Sequence, residues 1–277
     1  MKTVLSIQDL SCVGRCSLTV ALPVLSAMGL RCSVLPTAVL STHTGFPDPV
    51  VHPLTAHIGE IGAHFEKVGV TFDAVTVGYL SDGEQAQAVL PLLQYFKNMG
   101  SLIIADPAMG DHGKLYQGLG EDHVAAMAKI CGAADILLPN VTEAALLAGV
   151  PYDSDPQEAY LRTLAQCLLE KFPVESVLIT GVSGRGGRIG FYGSNQKSGA
   201  FSHQEARVDR QFHGTGDLFA AVFTGAFVSG LSMIDAGVLA AQFVRRCVAE
   251  TPVVSPHGVD FEPQLPMLWA QMQEKSC

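Results

Sequence analysis

His213-Gly214-Thr215-Gly216-Asp217 runs directly into the apolar, small-residue stretch Leu218 to Ser229 (LFAAVFTGAFVS). The pattern is a loop that becomes a buried helix. Two glycines leave backbone N–H groups free to approach an anion, and the first helical turn adds unpaired N–H groups and the positive end of the dipole. Asp217 is the one carboxylate of the motif. It stands where a substrate hydroxyl could hand over its proton while the backbone holds a phosphate. Taken alone, the same residue could be a plain N-cap after a glycine turn, so the rest of the chain decides.

Outward from this motif, short β-branched or aliphatic runs alternate with amphipathic stretches. Val4–Ile7, Ser33–Val39, Ala74–Gly78, Leu102–Asp106, Ile136–Leu138 and Val177–Thr180 read as buried strands. Helical patterns lie near Cys16–Met28, Pro53–Lys67, Glu84–Met99, Glu121–Cys131, Glu143–Ala148 and Gln157–Phe172. That rhythm predicts βαβ units around a mostly parallel sheet. After Thr180 the pattern changes. Arg188–Tyr192 and Gly199–Ala206 read as an antiparallel edge joined by a turn at Gly193-Ser194-Asn195. Helices over Asp217–Ser229, Met233–Ala249 and Pro263–Glu274 follow. With no repeat, low-complexity tract or linker, the expectation is one domain over 1–277, with ligands at the carboxyl ends of the strands.

Composition narrows the partners. The formal charge of −9 argues against nucleic acid or an anionic membrane surface. A polyanion must then be handled locally, by loops, helix ends and metal ions. No apolar stretch reaches the roughly 18 residues that span a bilayer, and Met1 to Ile7 reads as a strand, not a leader. Seven scattered cysteines, Cys12, Cys16, Cys32, Cys131, Cys167, Cys247 and Cys277, lack zinc spacing and read as reduced thiols in a soluble cytoplasmic protein.

The polar residues fall at one edge. Strand Leu102–Asp106 runs into Asp106-Pro107-Ala108-Met109-Gly110-Asp111, strand Ile136–Leu138 into Pro139-Asn140-Val141-Thr142-Glu143, and strand Val177–Ile179 into Thr180-Gly181. Each fits ordinary turn and capping chemistry. Together, three acidic groups and an amide beside a glycine anion loop suit Mg²⁺, a hard cation often held by one or two carboxylates plus substrate phosphates. That combination points to phosphoryl transfer. The chain has no G-x-x-x-x-G-K-[ST] sequence, so it is not a P-loop kinase. Asp9, Ser41, His43, Thr44 and Tyr79 add hydroxyls, a carboxylate and an aromatic face, the ingredients of a small polar-aromatic pocket. His43 has no recognisable nucleophile partner and reads as a hydrogen-bonded loop residue.

These segments, in this order and spacing, resemble the ribokinase-like superfamily over the whole length. Within it they resemble the pyridoxal kinases. The matching stretches are Ser6-Ile7-Gln8, Ser41-x-His43-Thr44, Gly78-Tyr79-Leu80, Asp106-Pro107-x-Met109-Gly110-Asp111 with Gly113-Lys114-Leu115-Tyr116, Pro139-Asn140-x-x-Glu143, and Gly214-Thr215-Gly216-Asp217-Leu218-Phe219-Ala220. The resemblance implies a three-layer α/β/α fold with a mostly parallel sheet and an antiparallel edge. It implies Asp217 as the base, Gly214, Thr215 and Gly216 as the anion hole, and Asp9, Thr44 and Tyr79 around a pyridine ring. It puts Asp106, Asp111, Asn140, Thr180, Gly181 and Arg207 toward ATP, with Glu143 and Asp111 near Mg²⁺. A monovalent cation such as K⁺ is a further candidate. Gly110–Gly120 would be a water-excluding flap, and a homodimer is expected through the apolar stretches Ala38–Leu40 and Phe46–Val51.

Two alternatives stand beside this expectation. Relatives that phosphorylate hydroxymethylpyrimidine often carry Cys where this chain has Asp217. A non-catalytic vitamin B6 or nucleotide binding protein would need a broken catalytic set, whereas Asp217, Gly214, Gly216, Asn140 and Glu143 are all present. Asp9 stands where many pyridoxal kinases have Ser, and Leu10-Ser11-Cys12-Val13 replaces a usual His-Val-Val run.

Overall fold

The apolar runs become the parallel heart of a nine-stranded sheet. From edge to edge its order is β11 (Gly199–Ala206), β10 (Arg188–Asn195), β9 (Ser176–Gly184), β8 (Ile136–Leu137), β5 (Leu102–Ala105), β4 (Ala74–Val77), β1 (Thr3–Ser11), β2 (Arg31–Leu40) and β3 (Val51–Pro53). Pairings from β2 through β9 are parallel, whereas β2–β3, β9–β10 and β10–β11 are antiparallel. The computed structural model describes residues 1–274; Cys277 lies outside them.

Helices close both faces because the central strands are apolar on both sides of the pleat. In β1, Leu5 and Ile7 enter one core while Val4 enters the other. The first core is completed by α2 (Thr55–Val68), α3 (Gly83–Asn98), α4 (Glu121–Ala133), α5 (Val141–Ala148) and α6 (Glu158–Lys171). The second is completed by α1 (Leu18–Ala27), α7 (Thr215–Val228), α8 (Met233–Glu250) and α9 (Leu265–Glu274). Helix α7 buries residues around most of its circumference, as its unbroken apolar sequence requires. The three-layer architecture expected from the alternation is the one observed.

The chain leaves β1 for β2 and β3, then returns to β4 on the other side of β1. Strand order reverses there, opening a crevice at the carboxyl ends of β1 and β4. Asp9 lies near the end of β1 and Tyr79 just beyond β4, so both border that crevice.

Several local expectations are corrected. Gly193, Ser194 and Asn195 do not turn; they continue β10 and pair with β11. Gly193 is a glycine because the Phe201 ring occupies the space a Cβ would need. The turn follows at Gln196–Ser198, where the Asn195 side chain accepts the amides of Lys197 (2.8 Å) and Ser198 (2.9 Å). Val51–Pro53 forms an edge strand where a helix start was expected, and α2 begins at Thr55. Helix α7 begins at Thr215, two residues before Asp217. Part of the expected flap is a hairpin of β6 (Gly110–Asp111) and β7 (Lys114–Leu115).

Candidate active site

Helix α5 starts with a closed set of hydrogen bonds. The Asn140 side chain accepts the Glu143 amide at 3.0 Å, and Glu143 Oε2 accepts the Asn140 amide at 2.8 Å, a reciprocal capping box. Glu143 Oε1 also accepts the Met109 amide (3.1 Å), Asn140 Nδ2 donates to the Gly110 carbonyl (2.8 Å), and Thr142 Oγ1 accepts the Gly113 amide (2.9 Å). The first turn of α5 therefore pins the 110–115 hairpin. A parallel bridge between Asn140 and Thr180 brings the ends of β8 and β9 to the same place.

Helix α7 starts in the opposite way. Gly214 is its N-cap, at φ 83° with no side-chain cap. A Cβ there would collide with the Arg15 carbonyl, so both conformation and contact demand glycine. Leu218 N donates to the Gly214 carbonyl at 2.9 Å, but the amides of Thr215, Gly216 and Asp217 have no partner among the described residues. Such a helix start is a ready anion site.

Carboxylates gather between these two starts. Burial pushes Asp217 up to about 6, opposed by the Ser17 amide directed at it and assisted by the charge of Asp9. Burial, then the charge of Asp217, pushes Asp106 up to about 8. Glu143 is 2% exposed. Burial and the Asp106 charge hold it well above the usual range against the backbone amides it accepts. The Tyr116 phenol is raised by burial and by Glu143, Asp106, Asp111 and Asp217 together. It therefore stands among all four acids. Tyr116 belonged to the matched Gly113–Tyr116 run, but nothing in its own type singled it out.

Around the crevice, Asp9 is 4% exposed, and its carboxylate accepts the hydroxyls of Ser17 (2.5 Å) and Ser11 (3.5 Å). Burial raises Asp9 despite those bonds. Burial, then the charge of Asp9, raises Tyr79, which puts these two near each other. Thr44 is exposed on the loop after β2. His43 accepts the Gly45 amide at Nδ1 (2.9 Å) and bonds the Pro256 carbonyl through Nε2 (3.0 Å). It is the loop residue expected, with Nε2 as donor. The Cys16 thiol is pushed up to about 12 by burial with Asp217 and Asp9, so it remains protonated.

The remaining candidates lie farther out. Asp111 is at the hairpin, 56% exposed, accepting the His112 amide at 2.8 Å and facing the His112 ring at 3.5 Å. Thr180 is partly buried and Gly181 exposed at φ 68°. Arg207 is exposed just past β11, with its backbone amide on the Gly187 carbonyl (2.8 Å). Among the described residues no three His, Cys, Asp or Glu side chains form a ready-made metal cage. Among the described residues none donates a hydrogen bond to the Asp106 carboxylate, whereas both Glu143 oxygens take backbone amides. Asp106 is thus the acid with open oxygens for a cation that arrives with phosphates.

The three-layer fold on a mostly parallel sheet that carries these groups is ribokinase-like. The chain belongs to the phosphomethylpyrimidine kinase family, whose model matches residues 22–259. It is similar to the crystal structure of pyridoxal kinase from Lactobacillus plantarum, at 33% identity and TM-score 0.90, covering 99% of both chains. A Bacteroides thetaiotaomicron protein, provisionally described as a phosphomethylpyrimidine kinase and crystallised with pyridoxal, matches at 32% identity and TM-score 0.90, covering 98% of this chain and 96% of that one. A pyridoxine/pyridoxal/pyridoxamine kinase from Bordetella avium is 28% identical over 263 residues, 90% of this chain and 85% of its own.

Proposed function

We propose that this chain is an ATP- and Mg²⁺-dependent kinase that phosphorylates the 5′-hydroxymethyl oxygen of pyridoxal, pyridoxamine or pyridoxine. One observation carries the reading. A carboxylate with its proton affinity raised to about 6 sits in the first turn of a helix whose amides are unpartnered. Asp217 is therefore mostly ionised at neutral pH yet basic enough to take a proton, the compromise general-base catalysis favours. The vitamers are the substrate class in the names of the relatives above.

In this reading Asp217 takes the hydroxyl proton as the oxygen attacks the γ-phosphorus and the bond to the ADP oxygen breaks. The amides of Thr215, Gly216 and Asp217 hydrogen-bond the oxygens of the moving phosphoryl group. Asp9, Thr44 and Tyr79 line the ring side; Thr180, Gly181 and Arg207 lie toward the nucleotide. Asp106 would hold Mg²⁺, with Glu143, Asn140 and Asp111 around it; the ion would neutralise phosphate charge. The 110–115 hairpin, fixed to α5, keeps water from this side.

The family description keeps hydroxymethylpyrimidine as the second candidate acceptor. The test is ADP release from ATP with pyridoxal, pyridoxamine, pyridoxine and hydroxymethylpyrimidine, with and without KCl, and product mass. The reading requires a phosphorylated vitamer; phosphorylation of hydroxymethylpyrimidine alone would replace it, and no product from any alcohol would leave a binding protein.

The same reading makes residues 1–277 a single kinase domain in a cytoplasmic setting. The described cysteines are all free, which suits reducing conditions. No helix among the described residues is long and apolar enough to cross a membrane. A homodimer through the β2–β3 edge would cover Val34, Val50 and Val51, which are exposed there. Light scattering should report twice the 29.3 kDa chain mass; a particle of one chain mass at micromolar concentration contradicts the dimer.

A further inference from the structure

Among the described residues, Ser17 is one of three non-glycine residues with a positive φ. Its φ of 47° and ψ of −124° belong to a region that glycine occupies freely and a side chain resists. Yet the chain places serine there, as the residue that opens α1. It does not cap that helix: its side chain makes no cap bond. Its hydroxyl instead donates to Asp9 Oδ1 at 2.5 Å, and Ser17 itself is 5% exposed.

The same turn is locked against the phosphoryl loop. Arg15 N donates to the His257 carbonyl at 2.7 Å, and Val259 N donates to the His213 carbonyl at 3.1 Å. Gly214 packs directly on the Arg15 carbonyl and lies against Cys16. The segment Arg15–Ser17 is thus wedged beside the loop that begins α7, and its end brings the Ser17 amide toward the Asp217 carboxylate.

We propose that Ser17 is a positioning residue for phosphoryl transfer: its strained turn couples Asp9, through the hydroxyl, to Asp217, through the amide. This rests on the function proposed above, in which Asp217 is the base. Asp9 repels Asp217, so its location sets where the base rests when no substrate is bound. The Ser17 and Ser11 hydroxyls hold Asp9 in place, and of the two residues it is Ser17 whose amide also faces the Asp217 carboxylate.

The test uses Ser17→Gly and Ser17→Ala in the full chain and again in an Asp9→Ser background. Glycine relieves the backbone while deleting the hydroxyl; alanine deletes the hydroxyl alone. Ser17→Gly should keep its Tm within about 5 °C of the parent, because relief of the turn offsets the added chain entropy. Its kcat should nevertheless fall on the order of tenfold, the scale of one lost hydrogen bond to a charged group, with KM for ATP unchanged. With Asp9→Ser already present, the same substitution should change kcat by less than about threefold, since coupled residues are not additive.

Parent-like kcat in Ser17→Gly overturns the proposal, and so does an equal loss in both backgrounds, which would mark Ser17 as a local structural residue. Ser17→Gly remains informative where Ser17→Ala does not fold. The parent is first assayed on the vitamers and on hydroxymethylpyrimidine, and the variants on whichever it phosphorylates. A parent active only on hydroxymethylpyrimidine changes the acceptor but leaves Ser17 testable. A parent inactive on all of them removes the base, and this role with it.

Discussion

Helices α5 and α7 each bring an acid near Asp106, whose charge raises Glu143 and which is itself raised by Asp217, yet the two starts are built for opposite ends. At α5 the capping residue and the acid three positions later satisfy each other, and what remains of the turn grips the hairpin. At α7 glycine replaces the cap, the amides have no partner among the described residues, and the acid in the first turn is not used as a cap. Both starts carry the same dipole. The difference lies in who occupies the amides: the chain itself at α5 and, in the proposed reading, the transferring phosphoryl group at α7. A helix start with a complete capping box is a structural joint, and one that leaves its donors open behind a left-handed glycine is free to meet an anion.

Substitutions at the open start should cost the most. Asp217→Asn keeps shape and capping ability but removes proton acceptance. Turnover should fall by roughly 10²–10⁴ with ATP binding little changed, as read by steady-state ADP release and nucleotide titration. Near-parent turnover would reduce Asp217 to part of the helix start. Gly214→Ala should follow at about 10²-fold in kcat, with a lower Tm, because the new Cβ must displace the Arg15 carbonyl. A Gly214→Ala enzyme with parent turnover would show that the αL cap is dispensable.

Asp106, between the two starts, should trade stability for function. Its carboxyl is raised to about 8, far above the unfolded value of 3.8. Between those values the folded chain holds a proton that the unfolded chain releases, so stability falls as pH rises through that window. Asp106→Asn lacks this penalty. It should raise Tm near pH 8 by an amount worth on the order of a few kcal/mol, while lowering activity at ordinary Mg²⁺. A Tm difference that does not grow from pH 5 to pH 8 would contradict the assignment.

Smaller effects fall on pH dependence and on the closed start. With Asp217 raised to about 6, kcat/KM should decline as pH drops below that value, because the base becomes protonated. Asp9→Ser removes a neighbouring negative charge and should move that limb to lower pH; an unmoved limb would uncouple the two acids. Glu143→Gln should raise the Mg²⁺ concentration needed for activity, since an amide is the poorer neighbour for a hard cation. It should also loosen the hairpin, because the amides of Met109 and Asn140 lose a charged acceptor. An unchanged magnesium titration would leave α5 a joint and nothing more.

What the sequence disclosed follows the same division. Period and composition revealed the parallel strands, since a strand buried on both faces has no other way to look. The two helix starts were legible because glycines before Asp217 and an N-x-x-E run are local signatures. Asn140 and Glu143 were found by motif, but their use of each other's backbone required the structure. Strand β3 is only three residues long and carries no alternation to read. The turn after β10 was misplaced because Gly193 signals a bend, whereas it actually makes room for Phe201 across the ladder. Ser17 was invisible for a different reason. Its backbone angles accompany a hydrogen bond to Asp9 and a turn whose residues Arg15 and Cys16 pack on Gly214, and serine alone predicts none of this.

The difference between the two helix starts can be observed directly at their amides. Backbone ¹⁵N–¹H spectra of the protein with Mg²⁺ and ADP, before and after adding aluminium fluoride as a stand-in for the transferring phosphoryl group, report on both. The account predicts large shifts and hydrogen-exchange protection at Thr215, Gly216 and Asp217, with the Asn140 and Glu143 amides nearly unmoved. Unperturbed amides at Thr215 and Gly216 under saturating ligand would contradict it.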